Sequence, residues 1–191
     1  RRRKHSSIML KDGKVIVLGG TGANRTLSTA EIYDPITGKA SMLNPMIYKH
    51  SGHTGTLLND GNLLVVGGIN TSSDGAVAVG SEVFDPVKQE WLPTDIMARR
   101  TYAHSTSLLQ DGRVLSVGGF GGFGGSPSSE LYDPSTNTWT SAEHMIQGRM
   151  LHTTTLLKDG RVLAVGGTSK TGNLNTAELY DPETGVWHQA G

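Results

Sequence analysis

The chain has 191 residues and no Cys, and its 17 Lys and Arg balance its 17 Asp and Glu to a formal net charge of zero. This composition excludes disulfides, a thiolate nucleophile and Cys-ligated zinc, and a neutral chain has no general electrostatic attraction to nucleic acid or anionic membranes. No apolar run approaches the roughly 18 residues of a membrane-spanning helix, so we expect neither nucleic acid binding nor membrane insertion.

Four copies of one sequence unit follow one another along the chain. Each copy has a His, an Asp-Gly pair seven residues later, a double glycine, and a Glu-x-aromatic-Asp-Pro box. A Trp stands six residues after the box Asp in three copies, and Ala40 takes its place in the first. Successive Asp-Gly pairs are 48, 51 and 48 residues apart. Such self-similarity is the signature of a repeat architecture. The missing Trp predicts that the first repeat is the least tightly packed, or that it is supported from outside.

Each unit predicts four β-strands, which the fourth copy illustrates in chain order. The first strand is expected at residues 152–157, and Asp159-Gly160 predicts a tight hairpin turn after it. The second strand is expected at residues 162–165 and the third at residues 177–180. Asp-Pro then favours a turn, because Pro presets φ, and the fourth strand carries the Trp. No segment has helical periodicity. The pattern therefore predicts an all-β protein whose four-stranded units have the size of propeller blades.

The combined motif resembles kelch repeats, in which an apolar run enters a double glycine and spaced Tyr and Trp residues follow. The segments DGRVLAVGG and AELYDPETGVW are similar to those of bacterial kelch proteins and of the galactose-oxidase-like propeller. The resemblance covers essentially the whole chain. It implies one propeller domain over residues 1–191, built from four blades of four antiparallel strands. The blades are expected at approximately 1–47, 48–98, 99–146 and 147–191.

The number of blades leaves three arrangements open. Kelch rings usually have six or seven blades, so the four units could belong to a larger ring. They could also close as a four-bladed ring, or form an open array that is completed by association, because each blade needs neighbours to cover its apolar faces. Since the first residue is Arg1 and not Met, we also expect a processed, trimmed or excised chain.

Two kinds of connection are expected to share one edge of the blades, which we name the loop rim. Chain direction alternates between strands, so the second-to-third loops and the fourth-to-first connections lie together, opposite the Asp-Gly turns. The spacing from the double glycine to the Glu varies there, at 11, 14, 11 and 11 residues. Variable loops on a rigid frame commonly carry binding, so we place the binding face on the loop rim.

The predicted contact residues are those of the loop rim that depart from the repeat. They are Tyr48, Lys49, His50, Arg99, Arg100, Tyr102, Phe120, Phe123 and Arg149. Arg beside an aromatic ring suits carboxylates, sugars or an acidic peptide, and exposed Phe in a glycine-rich loop indicates a partner. Two alternatives stay open: both Phe side chains fold back onto the rim, and Arg100 and Arg149 are the basic residue that kelch proteins usually have ahead of the first strand.

One His and one Glu recur in every unit. The four His, by the kelch resemblance, would start the strands that line a central channel, where a ring of imidazoles is a weak candidate for a transition-metal site. Buried Glu side chains can serve as acids or bases. Because a residue repeated in every blade usually serves the blade, we interpret both sets as structural and expect no metal and no cofactor. The two sets are His5, His53, His104 and His152, and Glu31, Glu82, Glu130 and Glu178.

These observations favour a non-enzymatic scaffold that binds a macromolecular partner, or its own copies, through the loop rim, with open blade faces as a further route to self-association. Catalysis of the galactose-oxidase type is disfavoured, because that copper cofactor needs a Tyr cross-linked to a Cys and the chain has no Cys. The alternative is a carbohydrate-binding or sugar-processing propeller, in which His50, Arg100, Tyr102 and Arg149 would face an acidic sugar. Similar bacterial kelch proteins are often secreted, which favours secretion or the cell surface.

Overall fold

A computed structural model describes residues 1–72, 75–78 and 80–190, with backbone alone for 72 and 75–78. Three residues of the predicted loop 69–80 and the last residue of the predicted fourth blade therefore lie outside the described residues. The described part of the chain contains twenty β-strands and no helix, and so no helix with the length and hydropathy to cross a membrane. The chain divides into two compact units, residues 1–95 and 96–191.

The first unit contains two four-stranded antiparallel sheets. The first sheet has the order β1-β2-β3-β4, and the second has the order β5-β6-β9-β10, with the hairpin β7-β8 inserted before its third strand. The bounds are β1 (Ser6–Met9), β2 (Val15–Leu18), β3 (Ala30–Asp34), β4 (Lys39–Met42), β5 (Thr54–Leu57), β6 (Leu63–Val66), β7 (Ile69–Ser72), β8 (Gly75–Ala78), β9 (Ser81–Asp85) and β10 (Glu90–Pro93).

The second unit repeats this arrangement. Its sheets have the orders β11-β12-β13-β14 and β15-β16-β19-β20, and the short hairpin β17-β18 lies in the second-to-third loop of the last repeat. The bounds are β11 (Ser105–Leu108), β12 (Val114–Val117), β13 (Ser129–Asp133), β14 (Thr138–Ala142), β15 (Thr153–Leu156), β16 (Val162–Val165), β17 (Thr168–Ser169), β18 (Gly172–Asn173), β19 (Ala177–Asp181) and β20 (Val186–Ala190). The prediction of an all-β fold of four units with four antiparallel strands each is confirmed.

The Asp-Gly turns join first and second strands as the sequence predicts. In the last repeat Gly160 has φ +89°, a conformation that costs a residue with a side chain about 1–2 kcal/mol and that glycine adopts freely. The amide of Leu157 bonds the carbonyl of Arg161 at 2.8 Å, and the Arg161 amide donates to the Asp159 carboxylate at 3.2 Å. Because each Asp-Gly pair closes the same turn, the spacing on this edge of the sheets does not vary.

Each unit has a core in which the faces of its two sheets meet. In the first unit, buried Ile16 and Leu18 of β2 pack in one cluster with Leu63 and Val65 of β6. The second unit has a corresponding cluster, in which Leu115 of β12 meets the buried ring of Tyr180 and the indole of Trp187. That indole also donates to the carbonyl of Glu143 at 3.1 Å. A repeat is therefore stabilised by its neighbour.

The double glycines let two connections cross close to the sheet, the one that enters the next repeat and the one that enters their own. Gly118 has φ +70°, and a Cβ there would overlap the carbonyl oxygen of Arg149. The following Gly119 has φ +95°, and a Cβ there would overlap the Thr101 hydroxyl. Only glycine suits both the positive φ and the close approach. The connections that cross at these glycines form the loop rim.

Candidate functional site

Backbone hydrogen bonds join the two kinds of connection within each unit, so each unit has a loop rim of its own. In the second unit the Phe120 amide donates to the carbonyl of Tyr102 at 3.0 Å, and Met150 and Thr168 exchange two bonds of 3.0 and 2.8 Å. In the first unit Ser51 pairs with Ile69 in the same way. Side chains of a fourth-to-first connection and of the following second-to-third loop are thus presented together.

The fourth repeat has a buried ion pair beneath the loop rim. Arg149 is fully buried, and its guanidinium donates to the Glu178 carboxylate at 2.7 Å. It also donates to the carbonyls of Gly166 and Thr176, at 2.9 and 3.1 Å. Glu178 accepts in addition the amides of residues 146 and 147, at 2.6 and 3.0 Å. One charged pair therefore holds the incoming connection against the sheet.

The second repeat has the same arrangement with His50 in place of the arginine. His50 Nε2 lies 2.8 Å from the Glu82 carboxylate, and Nδ1 lies 2.5 Å from the carbonyl oxygen of Gly67. The two ring nitrogens of His50 thus contact the same two groups, the buried Glu and the first glycine of the pair, that the guanidinium of Arg149 contacts in the fourth repeat. Glu82 also accepts the amides of Ile47 and Tyr48, at 2.8 and 3.0 Å. In the first repeat Arg2 pairs with Glu31 and donates to the carbonyl of Gly19 at 3.2 Å.

The third repeat lacks a basic side chain at this position. Thr101 stands where the other repeats have Arg2, His50 and Arg149, three residues ahead of the repeated His. Its hydroxyl donates to the carbonyl of Gly118 at 3.3 Å. Glu130 is only 5% exposed, and among the described residues it accepts just the amides of residues 98 and 99, at 2.8 and 2.9 Å. The third repeat, whose second-to-third loop carries the exposed Phe123, is thus also the repeat in which Thr replaces the basic residue.

Two of the predicted contact residues, His50 and Arg149, do not lie on the surface. Both side chains are fully buried, because each contacts a Glu carboxylate that is itself buried beneath the loop rim. The two arginines that the sequence offered as equivalent also differ. Arg100 is exposed, one residue ahead of the position that Arg149 occupies in its own repeat. Comparing distances to the repeated His would have revealed this offset, and it would have pointed to Thr101.

The four repeated His side chains have different surroundings. His5 is exposed, whereas His53, His104 and His152 are 6–8% exposed. His53 Nε2 lies 2.7 Å from the Ser6 hydroxyl, which links the first two repeats. Burial, together with the nearby charge of Arg149, lowers the pKa of His152 to about 4. Among the described residues, no three His, Cys, Asp or Glu side chains lie close enough to share a metal ion.

The loop rim of the third repeat carries a group that we name the aromatic rim patch: Tyr102, Phe120, Phe123 and Arg99. Tyr102 is half-buried and the other three are exposed. The Tyr102 and Phe120 rings stack with centroids 5.1 Å apart, and Phe120 is 37% exposed. Phe123 is 91% exposed, so it does not fold back onto the rim. Arg99 and Phe120 line the same small cavity. A partner would meet aromatic surface next to a positive charge.

The glycine-rich loop holds Phe123 outward by packing at its base. The amide of Gly121 donates to the carbonyl of Gly124 at 2.7 Å, which closes a tight turn with Phe123 at its tip. A Cβ on Gly124 would lie 2.7 Å from the backbone of Lys170 in the fourth repeat. In the first unit, by comparison, Tyr48 is 37% exposed and its ring lies edge-on to His50, with centroids 6.1 Å apart, and Lys49 is exposed.

A groove of about 350 Å³ lies at the opposite edge of the second unit. Acidic side chains line it, but Asp111 and Asp159 each pair with an arginine two residues further on, at 2.7 and 2.6 Å. The groove therefore offers partly neutralised carboxylates and no aromatic side chain. We regard the loop rim as the better candidate site.

Comparison with known families identifies repeats of one kind in three parts of the chain. Residues 2–47 and 151–191 match a family model described as the Kelch motif, and residues 100–145 match a second model with the same description. These matches fall on the first, third and fourth repeats. No curated protein gives a significant match to the chain.

Proposed function

Because the chain belongs to the kelch-repeat proteins, whose repeats commonly mediate protein interactions, we propose that it is a non-enzymatic scaffold that binds an acidic segment of a protein partner through the aromatic rim patch. The observation that carries this proposal is the 91% exposure of Phe123 on a loop whose base is packed. Exposing a large apolar ring to water is unfavourable in free energy, and contiguous exposed apolar surface commonly marks an interaction site.

The residue types of the patch are those that dominate binding energies. Tyr and Arg are enriched among interface hot spots, and aromatic side chains bury a large area with few rotatable bonds. The stacked pair Tyr102 and Phe120 is pre-ordered by its own contact, so less conformational entropy is lost on binding. Phe123 adds a projecting anchor for a pocket or an apolar side chain of the partner.

The positive charge around the aromatic rim patch favours an acidic partner. Arg99 and Arg100 are exposed, and neither forms an ion pair among the described residues. Lys170, which lies against the base of the glycine-rich loop, is also exposed. Complementary charge speeds association and selects partners. Arg beside aromatic rings suits carboxylates, so Asp- or Glu-containing segments with an apolar residue fit best.

The test uses the purified chain on an array of synthetic peptides that vary in Asp and Glu content and in apolar anchors. We expect acidic peptides with an anchor to bind, and Phe123→Ala to weaken binding about tenfold, which corresponds to about 1.4 kcal/mol. Val87→Ala is the matched control, because Val87 is 90% exposed and lies on an Asp-Pro turn of the first unit. Equal binding by the two variants, or no preference for acidic peptides, contradicts the proposal. A glycan array provides the alternative outcome: acidic sugars bound without any peptide would favour the carbohydrate function.

A second candidate, self-association through a sheet face, rests on the first repeat. Met9, Tyr33 and Met42 point to one face of its sheet and are 67%, 42% and 62% exposed. In the last repeat the residue that corresponds to Tyr33 is Tyr180, which is 2% exposed in the core cluster with the third repeat. A kelch sheet of a second copy therefore fits this face. Light scattering behind a sizing column tests it: a dimer that Tyr33→Glu dissociates supports self-association, and a monomer near 20.3 kDa contradicts it.

A further inference from the structure

The fourth repeat exposes apolar side chains whose counterparts in the third repeat are buried. In the third repeat, Leu115 and Val117 are 0% and 1% exposed, because they pack against the fourth repeat in one core cluster. Counted from the Asp-Gly pair, their counterparts in the fourth repeat are Leu163 and Val165. Leu163 is half-buried and Val165 is 44% exposed. These two residues define what we name the outgoing face, which has the residue types of a sheet that packs on a following repeat.

The first repeat has the converse face. In the fourth repeat, Val162 and Tyr180 belong to the same core cluster and are 0% and 2% exposed. Their counterparts in the first repeat are Val15, which is half-buried, and Tyr33, which is 42% exposed. Val15 and Tyr33 lie opposite each other on β2 and β3, and they define what we name the incoming face. The first and fourth repeats thus carry the two halves of an apolar contact that each unit contains once.

Polar contacts along the first strands set the register between neighbouring repeats. In the second unit the Ser107 hydroxyl donates to Thr154 Oγ1 at 2.8 Å. Ser107 stands five residues ahead of the glycine of its Asp-Gly turn, and Thr154 stands six residues ahead of its own. The same counts give Thr155 in the fourth repeat and Ser7 in the first, and both are exposed. A fourth repeat packed on a first repeat would therefore bring these two hydroxyl groups together.

A contact of the repeated His has the same kind of counterpart. His53 Nε2 lies 2.7 Å from the hydroxyl of Ser6 in the preceding repeat. By the same count, His5 would meet the hydroxyl of Thr153 in a fourth repeat, and both residues are exposed. The exposure of His5, which sets it apart from the other repeated His side chains, thus accompanies the exposure of the incoming face.

The edge that carries the Asp-Gly turns shows a third correspondence. The side chain of Lys11 donates to the carbonyl of Asn59 in the next repeat, and the side chain of Gln110 donates to the carbonyl of Lys158 at 3.4 Å. All four residues stand two residues ahead of the glycine of their own turn. By this count the side chain of Lys158 would donate to the carbonyl of Lys11 where a fourth repeat meets a first repeat.

We propose that copies of this chain join head to tail, with the outgoing face of the fourth repeat of one copy packed on the incoming face of the first repeat of another. The proposal rests on the self-association put forward above and names the surface that meets the first repeat. A second copy fits as the occupant because it brings the apolar side chains, the hydroxyl groups and Lys158 in the register that neighbouring repeats already use. Since the two faces differ, the contact is heterologous, and its repetition gives a closed ring or an extended array.

Disulfide cross-linking between single-Cys variants tests the register, because the unmodified chain has no Cys. Ser7→Cys and Thr155→Cys are mixed in equal amounts and oxidised, and mass spectrometry identifies the linked peptides. A disulfide needs Cβ atoms about 3.5–4.5 Å apart, which suits positions whose counterparts form a hydrogen bond. We expect the mixed dimer as the main product. The matched control is Val87→Cys mixed with Glu183→Cys, two exposed positions on Asp-Pro turns, which should form no more than the dimer of random collisions.

The outcomes separate this contact from self-association in general. A cross-link of Ser7→Cys with itself and not with Thr155→Cys would mean that like faces meet, so that self-association stands and the head-to-tail contact is refuted. A cross-linked monomer from the double variant Ser7→Cys/Thr155→Cys would mean that the two faces meet within one chain, which also overturns the proposal. No cross-link above the control overturns it as well, and a chain that then elutes as a monomer contradicts self-association too.

A substitution on the outgoing face gives a second readout that needs no cross-link. Val165→Glu places a charge in the proposed contact, and it should weaken association at least about tenfold, which corresponds to about 1.4 kcal/mol. Because Val165 is 44% exposed, the substitution should leave the fold intact. Val87→Glu, at a residue that is 90% exposed on a turn, is the control and should change nothing. Light scattering over a dilution series measures both variants, and equal dissociation constants would refute a role of the outgoing face.

Discussion

Replacing Arg149 by Met should be among the most damaging single substitutions in this protein. Arg149 makes three hydrogen bonds, to Glu178, Gly166 and Thr176, at 2.7 to 3.1 Å. The side chains of the ion pair are 0% and 3% exposed, so R149M leaves the Glu178 carboxylate buried without its counter-charge. Breaking a buried pair from one side costs about 3–5 kcal/mol. For a chain of this length that corresponds to a fall in Tm of about 6–20 °C.

Urea unfolding followed by Trp fluorescence measures this loss. Arg161→Met is the matched control, because Arg161 forms an ion pair with Asp159 at 2.6 Å whose side chains are 46% and 49% exposed. An exposed pair contributes about 0–1 kcal/mol. The difference in the free energy of unfolding between the two variants therefore isolates the effect of burial, since both lose the same functional group.

The double variant R149M/E178Q tests whether the loss of stability comes from the unpaired buried charge. Removing both charges leaves no buried ion, so we expect it to be more stable than R149M alone, although it also lacks the pair. A double-mutant cycle then gives the coupling between the two residues. Two results would refute the reasoning: an R149M variant within about 1 kcal/mol of Arg161→Met, or a double variant whose loss equals the sum of the two single losses.

Three further substitutions or conditions have defined outcomes. The free energy of unfolding should fall by about 3 kcal/mol as the pH drops from about 6.5 to below 4, because burial keeps His152 neutral in the folded chain while the unfolded chain takes up the proton first. Urea unfolding at pH 7 and pH 4.5 measures this fall, and His152→Gln should remove the part that is due to this residue. Trp187→Ala should cost about 3–5 kcal/mol by the same assay, since the indole is 4% exposed in the core. Gly118→Ala should lower Tm more than Gly185→Ala. The two glycines have similar φ, +70° and +74°, but only Gly118 lies against the backbone of another segment, so equal losses would show that φ alone sets the loss of stability.

The buried pairs and the exposed patch have different roles. The amide contacts of Glu82, Glu130 and Glu178 recur at equivalent atoms in three repeats, which is what a shared structural requirement produces. Phe123, by contrast, has no counterpart in the other loops of its kind. A substitution at Arg149 should therefore change stability, and one at Phe123 should change binding with little effect on stability.

The sequence by itself determined the strands, the turns and the register of the repeats. Asp159-Gly160 specifies its turn through a positive φ that glycine tolerates. The strands predicted at residues 162–165 and 177–180 are present as Val162–Val165 and Ala177–Asp181. These are short-range effects, because each depends on a few neighbouring residues and on backbone conformations that residue type restricts.

Only the tertiary structure decided which basic side chains are buried. Arg100 and Arg149 both precede a first strand by a few residues, yet one is exposed and the other meets Glu178, 29 residues further along the chain. A one-residue offset in an extended segment turns a side chain to the opposite side, and the position of the carboxylate depends on the packing of the sheet. The same reason hides the difference at Thr101, because only the packing of the sheet shows that Thr101 takes the place of the basic residue and that Glu130 is left with two backbone amides as donors.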